Sequence, residues 1–339
     1  MRPLTLRRML LTCVPLCVVL VAVVLLALRL GAVPFPLNDL AQNLWWLVSG
    51  QPGRISSDFR LIMVDIRLPR ILLGILVGAA LSVAGAGFQA LLRNPLADPY
   101  VLGVSSGSAL GVILALLALP TIPLMTPVGA FLGAAVTIAA VYFMGQREGQ
   151  LDSSTLLLAG IISASFLSAI IMFLITTLGN RDLRGIGFWL MGDLSTALPP
   201  SLLWTLVVGF FVATGAIFTT ASDLNLLLTG EREAMHLGVE VTRVKLVVYI
   251  SASLLTALAV SVSGAIGYVG LLVPHVMRML FGSDYRLLIP TSAIGGAIAV
   301  VLADTLARTI VAPTELPVGA MTAVVGAPMF IYLLRRRLA

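Results

Sequence analysis

Long apolar runs, separated by short polar segments, follow one another along the chain. Lipid offers no hydrogen-bond partner to the backbone, so uncharged windows of about 17 to 25 residues cross a bilayer as helices. Charges, prolines and glycines together predict ten spans. They cover about residues 9–30, 71–92, 100–146 (two spans), 153–178, 198–220, 246–274 (two spans), 287–303 and 316–334. Pro120, Pro123 and Pro127 divide the range 100–146, and the range 246–274 divides near Ser263–Gly264.

Three polar segments interrupt this pattern in an informative way. The segment with Trp45 and Trp46 suits a short helix at the membrane interface, where indole rings settle, and residues 181–197 suit a second one. Residues 222–243 form the longest polar interruption in the second half of the chain. A membrane protein that exposes this much charge in one loop is expected to offer it to another protein.

Composition supports an all-α polytopic membrane protein, with residues 1–339 as a single transmembrane domain. Of its residues, 59% are hydrophobic and 11% charged, and the mean hydropathy is +1.07. We expect the first apolar run to be a span, because it is longer than the core of a signal peptide. Spans 2–5 and 7–10 have the same number and opposite direction, which predicts an inverted repeat.

The basic residues predict the orientation of the chain. With both termini in the cytoplasm, 13 of the 21 lysines and arginines lie on the inner side, as the positive-inside rule prefers. Residues 222–243 then form a cytoplasmic loop.

Missing residue types exclude several function classes. Lys245 is the single lysine, and the chain has no Gly-x-x-x-x-Gly-Lys sequence, so nucleotide chemistry would belong to another chain. The two histidines lie in or near predicted loops, which disfavours a membrane hydrolase, and we expect neither a metal site nor a nucleic-acid partner. An ion-coupled secondary carrier stays the alternative. It is disfavoured because these aspartates fall at predicted span ends: Asp98, Asp152, Asp193 and Asp304.

Several sequence blocks together resemble the permease subunits of ABC importers for ferric siderophores, haem and cobalamin. The first is Gly-Ala-Gly-Phe-Gln leading into Arg-Asn-Pro-Leu-Ala-Asp-Pro, and the last is Glu-Leu-Pro-Val-Gly followed by Gly-Ala-Pro. The blocks lie at residues 85–89, 93–99, 102–103, 270–278, 315–319 and 326–328.

This resemblance implies a ten-helix protomer in the bacterial cytoplasmic membrane, in contact with lipid. It implies a second permease subunit, expected to be an identical copy, around a central path. Two ATP-binding subunits would bind ATP and Mg²⁺ on the cytoplasmic side, and a periplasmic or lipoprotein substrate-binding protein would deliver cargo from outside. The permease itself would then be non-catalytic and hold no cofactor, and its expected cargo is a ferric siderophore, with haem or cobalamin as alternatives.

Residues 222–243 would supply the coupling element that contacts the ATPase. Thr229 is placed to cap a short helix, with Glu231 and Glu233 in the first turn, where negative charge complements the helix dipole, and Gly238 is placed to end it. The alternative is a solvated loop that touches lipid headgroups. The expected coupling residues are Leu228, Gly230, Glu231, Glu233, Ala234, Leu237 and Gly238, with Leu226, Leu227 and Met235 as further packing residues.

Arginines at the outer face form a second candidate site. Arg67 and Arg70 precede span 2, and the resemblance adds Arg308 as a further residue that docks carboxylates of the binding protein. The alternatives are that the first two extend to lipid phosphates and that Arg308 merely pairs with Asp304, one turn earlier.

Span 5 carries small residues every four positions, so that they share one helix face. Gly160, Ala164 and Ser168 are therefore candidates to line the path. A tight helix-packing seam explains the same spacing.

Overall fold

The computed structural model describes residues 5–31, 36–51, 55–119, 122, 124–147, 150–177, 187, 189–195 and 198–338. Its longer helices are α1 (Leu6–Arg29), α2 (Leu37–Val48), α4 (Leu68–Leu91), α5 (Val104–Ala118), α6 (Met125–Met144), α7 (Ser153–Thr177), α8 (Pro200–Thr219), α11 (Val241–Ser263), α12 (Val269–Phe281), α13 (Tyr285–Thr309) and α14 (Val318–Leu338). Three short ones are α3 (Ser57–Phe59), α9 (Ala221–Leu227) and α10 (Glu231–His236).

Two irregular segments and one hairpin complete the described elements. A π-helical segment, Arg60–Arg67, joins α3 to α4, and a 3-10 turn, Pro99–Leu102, precedes α5. A two-residue antiparallel hairpin pairs Gln146–Arg147 with Gln150–Leu151 just before α7.

The predicted all-α membrane fold is confirmed. In the part of the chain that the structure describes, seven helical segments are long and apolar enough to cross a membrane, one of them the continuous segment Ser57–Leu91. Three shorter apolar helices, Val104–Ala118, Val269–Phe281 and Val318–Tyr332, bring the number of apolar helices to the expected ten.

Helix α4 is the centre of the fold. It is buried along almost its whole length and packs against α11, α12 and α13. Glycines allow these backbones to approach closely: Gly78 faces Gly296 of α13, and Gly85 faces Gly270 of α12. Small residues at such crossings let helices pack where lipid removes the hydrophobic driving force.

Helix packing follows the expected inverted repeat of two four-helix units, α4–α7 and α11–α14. The first helix of each unit packs against the third helix of the other, α4 on α13 and α11 on α6. It also packs against the second helix of the other unit, α4 on α12 and α11 on α5. Those second helices, α5 and α12, are the shortest of their units.

The connections that lead into α5 and α12 meet inside the protein. Tyr100, in the 3-10 turn before α5, accepts a hydrogen bond at its hydroxyl from the backbone N–H of Ile266, at 3.0 Å. Both connections contain a glycine with positive φ, Gly103 (φ 75°) and Gly264 (φ 63°), a backbone that residues with a side chain rarely adopt.

The outer helices carry most of the exposed apolar surface. Few residues of α1, α6, α7 and α8 are buried within the protomer. Their exposed side chains are large and apolar, for example Phe143, Phe166 and Phe211. Such surfaces fit lipid or a second protomer.

Several predicted boundaries need correction. The helix that contains span 2 begins at Ser57 instead of after Arg70, because Arg60–Arg67 is helical despite its charges. Span 9 runs to Thr309, not to residue 303, so Asp304 lies within a helix and not at its end. Pro127 lies in the first turn of α6, not in the turn before it, and α12 extends to Phe281. Most of the predicted interfacial helix at residues 181–197 lies outside the described residues.

Candidate functional site

Two short helices, α9 and α10, connect α8 to α11 and form the first candidate site. Buried side chains of Leu224, Leu227 and Ala234 hold them against the body of the protein. Helix α10 begins after Gly230, whose φ of 133° is strained for any residue with a side chain, and is followed by Gly238 with φ 87°.

The predicted short helix is thus present and Gly238 ends it, but the expected cap is wrong. Thr229 does not cap α10, because its hydroxyl donates a hydrogen bond back to the Leu226 carbonyl at 2.8 Å. The N-cap position belongs to Gly230, which has no side chain to accept a hydrogen bond.

The outer side of this element presents apolar side chains. Leu228, Met235 and Leu237 are 43%, 53% and 64% exposed, and Glu233 is exposed beside them. We call Leu228, Glu233, Met235, Leu237 and Gly238 the coupling surface, after the role predicted for this loop. Apolar groups at the tip of a polar connection are typical of a protein contact. Leu227, expected to join them, is buried instead.

Glu231 and Ala234, also predicted to contact a partner, face the protein itself. The Glu231 carboxylate lies 2.7 Å from the ammonium of Lys245 on α11 and 3.8 Å from the guanidinium of Arg93, which follows α4. Lys245 also donates to the backbone carbonyl of Leu151, at 3.1 Å. These contacts hold α10 to the ends of α4 and α11 and to the hairpin before α7.

A second polar link holds α9. Asp284, the N-cap of α13, accepts hydrogen bonds from the Asn225 amide at 2.8 Å and from Arg286 at 2.7 Å. Asn225 in turn accepts from the backbone N–H of Tyr285 at 2.9 Å. Hydrogen bonding by Arg286, with smaller help from Asn225, lowers the pKa of Asp284 to about 2.

Sequence reasoning missed this second link. An aspartate before an apolar run indicates a helix cap, so Asp284 could have been found from the sequence. Asn225 could not, because it lies 59 residues away.

The three predicted docking arginines lie at the opposite end of α4, and all three are buried. Arg70 forms ion pairs with Asp304 at 2.8 Å and with Glu315 at 2.7 Å, and Arg308 pairs with Asp304 at 3.0 Å. The alternative pairing of Arg308 with Asp304 is therefore observed, and docking of a binding protein at the three arginines stays a prediction. The Glu315 side chain, 44% exposed, is the open member of these ion pairs.

Arg67 has a separate role. One of its guanidinium nitrogens donates to the carbonyl of Leu28 at 2.7 Å. Leu28 lies in the last turn of α1, where carbonyls have no partner within their own helix. Arg67 thereby ties the end of α1 to the start of α4.

The small residues on one face of α7 do not all fit the same prediction, since path lining and a helix-packing seam were both predicted for them. Gly160 is buried against Leu102, and the backbone of Ala164 packs against Gly103. These two residues therefore belong to a tight helix-packing seam, the alternative explanation of their spacing. Ser168 is exposed, and its hydroxyl lies 3.3 Å from that of Ser106 on α5, so it keeps a position from which a path could be lined.

In the described part of the chain, no three histidine, cysteine, aspartate or glutamate side chains lie close enough together to hold a metal ion. The arrangement consists of an exposed contact surface at one end of α4 and a buried charge cluster at the other.

Comparison with known proteins connects this geometry to transport. A model of the FecCD transport family matches residues 19–336. The uncharacterized ABC transporter permease protein YvrB of Bacillus subtilis (strain 168) is 43% identical over 326 residues, covering 93% of this chain and 90% of that protein. The cobalamin import system permease protein BtuC of Halobacterium salinarum is 41% identical, covering 91% of this chain and 81% of that protein.

Two further matches extend the comparison. The hemin transport system permease protein HmuU of Yersinia pestis is 40% identical, covering 86% of this chain and 92% of that protein. A solved inward-facing structure, described as a metal-chelate type ABC transporter, superimposes with a TM-score of 0.82 at 31% identity, covering 96% of this chain and 98% of that one.

Proposed function

The chain belongs to the FecCD transport family, and from this we propose that it is the permease subunit of an ATP-driven importer for an iron chelate. The favoured cargo is a ferric siderophore, with haem and cobalamin as the nearest alternatives. Two copies of the chain would surround the path. Two ATP-binding subunits would hold ATP and Mg²⁺, and a substrate-binding protein would deliver the cargo.

The observation that carries this proposal is the two-sided structure of the α9–α10 element. Its inner side is fixed by Ala234 and by the Glu231–Lys245 ion pair, whereas Leu228, Met235 and Leu237 are exposed on its outer side. A solvated loop has no need for such anchoring or for exposed leucines. An element that receives force from an ATPase needs both a contact surface and a firm attachment to the spans.

The proposed orientation places this element in the cytoplasm together with both termini. The excess of basic residues on that side supports it. The Arg70 end of α4 then faces outward, where the substrate-binding protein would dock near Arg67, Arg70 and Arg308. In this conformation their charges are taken up by Asp304, Glu315 and the Leu28 carbonyl.

A bulky substitution on the coupling surface tests the proposal. Gly238→Trp is expected to lower substrate uptake into proteoliposomes at least tenfold while the permease dimer still assembles. Gly50→Trp is the matched control: both glycines have positive φ, 87° and 71°, and open space around the position of a Cβ. Gly50 follows α2, outside the coupling surface. Equal uptake by both variants would contradict the coupling role.

The energy source is tested on the same preparation. We expect the wild-type permease to co-purify with an ATPase and to show vanadate-sensitive uptake. Uptake driven by an ion gradient alone would instead establish a secondary carrier.

Orientation is tested in a Cys13→Ser, Cys17→Ser background that carries Glu233→Cys. An impermeant thiol reagent should label this cysteine only after cells are broken. Labelling in intact cells would show that the coupling surface faces the outside of the cell, which would refute the proposal.

A further inference from the structure

Lys245 is the single lysine of the chain, and its ammonium group is buried at the base of the coupling element. The Glu231–Lys245 pair has side-chain exposures of 27% and 9%, and its nitrogen–oxygen distance is 2.7 Å. A second hydrogen bond from Lys245 reaches the Leu151 carbonyl at 3.1 Å. Removing one member of such a buried pair is strongly destabilising, because the charge of the other member is left without compensation. Each of the two side chains therefore holds the other in place.

Helix α10 depends on this contact for its position. It has six residues, too few to be stable as an isolated helix. It follows a glycine that no side chain caps. Among its described contacts, the buried methyl group of Ala234 and the carboxylate of Glu231 attach it to the transmembrane helices.

Three transmembrane helices meet at the same pair. Lys245 lies in the second turn of α11, and its second acceptor, Leu151, comes two residues before α7. Arg93, two residues after the end of α4, lies 3.8 Å from the same Glu231 oxygen. A displacement of α10 therefore acts on the ends of α4 and α11 through the Glu231 carboxylate, and on the segment before α7 through Lys245.

We propose that Lys245 is a positioning residue that transmits movement of the coupling surface to α7 and α11. The inference rests on the proposed function, since it assumes that an ATPase moves α10. It assigns to Glu231 an inward role: the carboxylate is held by the permease itself instead of contacting the ATPase. Coupling energies of this kind correspond to about 5- to 150-fold changes in the linked process.

The test measures substrate molecules transported per ATP hydrolysed by the complete importer in proteoliposomes. Lys245→Met removes the cation at similar length, and Lys245→Arg retains it. We expect Lys245→Met and Glu231→Gln each to lower the ratio by about fivefold or more. ATP hydrolysis should continue, and Lys245→Arg should stay within about twofold of the wild type. Glu231→Gln combined with Lys245→Met should be no worse than either single change, because both remove the same link.

Exposed charges outside the coupling element provide the matched controls. Arg7 lies on the surface in the first turn of α1, and Asp39 lies on the surface in the first turn of α2. Arg7→Met and Asp39→Asn should leave the ratio unchanged, because exposed charges contribute little.

Two results would overturn the inference: a normal ratio in assembled Lys245→Met, or a failure of Lys245→Met and Glu231→Gln to assemble at all while the controls assemble. In the second case the pair would serve folding alone. A wild-type permease that binds no ATPase would instead refute the proposed function, so the two failures are distinguishable.

Discussion

Arg70 and Asp304 join the start of α4 to the last turns of α13, with 2.8 Å between a guanidinium nitrogen and a carboxylate oxygen. The other oxygen of Asp304 lies 3.0 Å from Arg308. One buried carboxylate thus compensates two buried cations. Glu315 adds a second acid to Arg70, but its side chain is partly open to solvent.

Asp304→Asn should therefore destabilise the protein far more than Glu315→Gln. Loss of Asp304 leaves buried arginines without their common anion, a defect of about 3–5 kcal/mol. Loss of the half-exposed Glu315 should cost about 1 kcal/mol or less. The thermal unfolding midpoint of detergent-purified protein measures both, and equal shifts for the two variants would refute this division of roles.

The sequence predicted the transmembrane helices better than their ends. The division of residues 246–274 near Ser263–Gly264 is confirmed, because glycine with positive φ ends α11 there. The sequence did not predict that the helix containing span 2 begins at Ser57, because the charges in Arg60–Arg67 indicate a loop by local criteria. A hydrogen bond from Arg67 to the Leu28 carbonyl at the end of α1 compensates for the burial of its charge, and such tertiary compensation leaves no periodic signal.

The same limit applies to the candidate site. Gly238 correctly predicted the end of α10, since the requirement for glycine after a helix is local. The inward direction of Glu231 was not predictable, because its partner Lys245 belongs to the next transmembrane helix. Pairs of this kind are determined by how helices pack, which a single sequence does not record.

Packing at the centre of the fold predicts an asymmetry between two helical glycines. A Cβ at Gly85 would overlap the carbonyl oxygen of Gly270, whereas a Cβ at Gly215 on α8 meets no atom within 4 Å. Gly85→Ala should push α4 away from α12 and lower the unfolding midpoint or the yield of folded protein. Gly215→Ala should be neutral or stabilising by up to ~1 kcal/mol. Comparable loss in both would show that this helix crossing tolerates separation.

The charge cluster near Arg70 predicts how the proposed substrate-binding protein would associate. Glu315→Gln removes a negative charge 2.7 Å from Arg70 and leaves that end of the permease more positive. We expect association with an acidic docking surface to become faster at low salt, by about twofold or more, because complementary charge acts mainly on the association rate.

The difference should vanish near 0.5 M salt, where screening is strong. Biolayer interferometry on reconstituted permease provides the measurement, with Glu240→Gln as the charge-matched control from the opposite end. An unchanged rate at low salt would assign the arginines to structure alone.

The link between α9 and α13 predicts a defined response to pH. The pKa of Asp284 falls from 3.8 to about 2 because Arg286 and Asn225 donate hydrogen bonds to its ionised carboxylate. A carboxylate whose pKa is lower in the folded state stabilises that state above the unfolded pKa, and this stabilisation is lost as pH falls from about 4 through 2. Between pH 5 and 8 the link should therefore stay constant.

Hydrogen exchange at the amides of α9 tests this. Protection, after correction for the intrinsic exchange rate, should be unchanged in the wild type across pH 5–8. Asp284→Asn should raise exchange there by about tenfold, equivalent to ~1.4 kcal/mol of local stability, because the Asn225 amide then loses its charged acceptor. Glu240→Gln, which removes an exposed carboxylate at the start of α11, should leave it unchanged. Protection of α9 in the wild type that declines between pH 8 and 5 would show that a group other than Asp284 holds this helix in place.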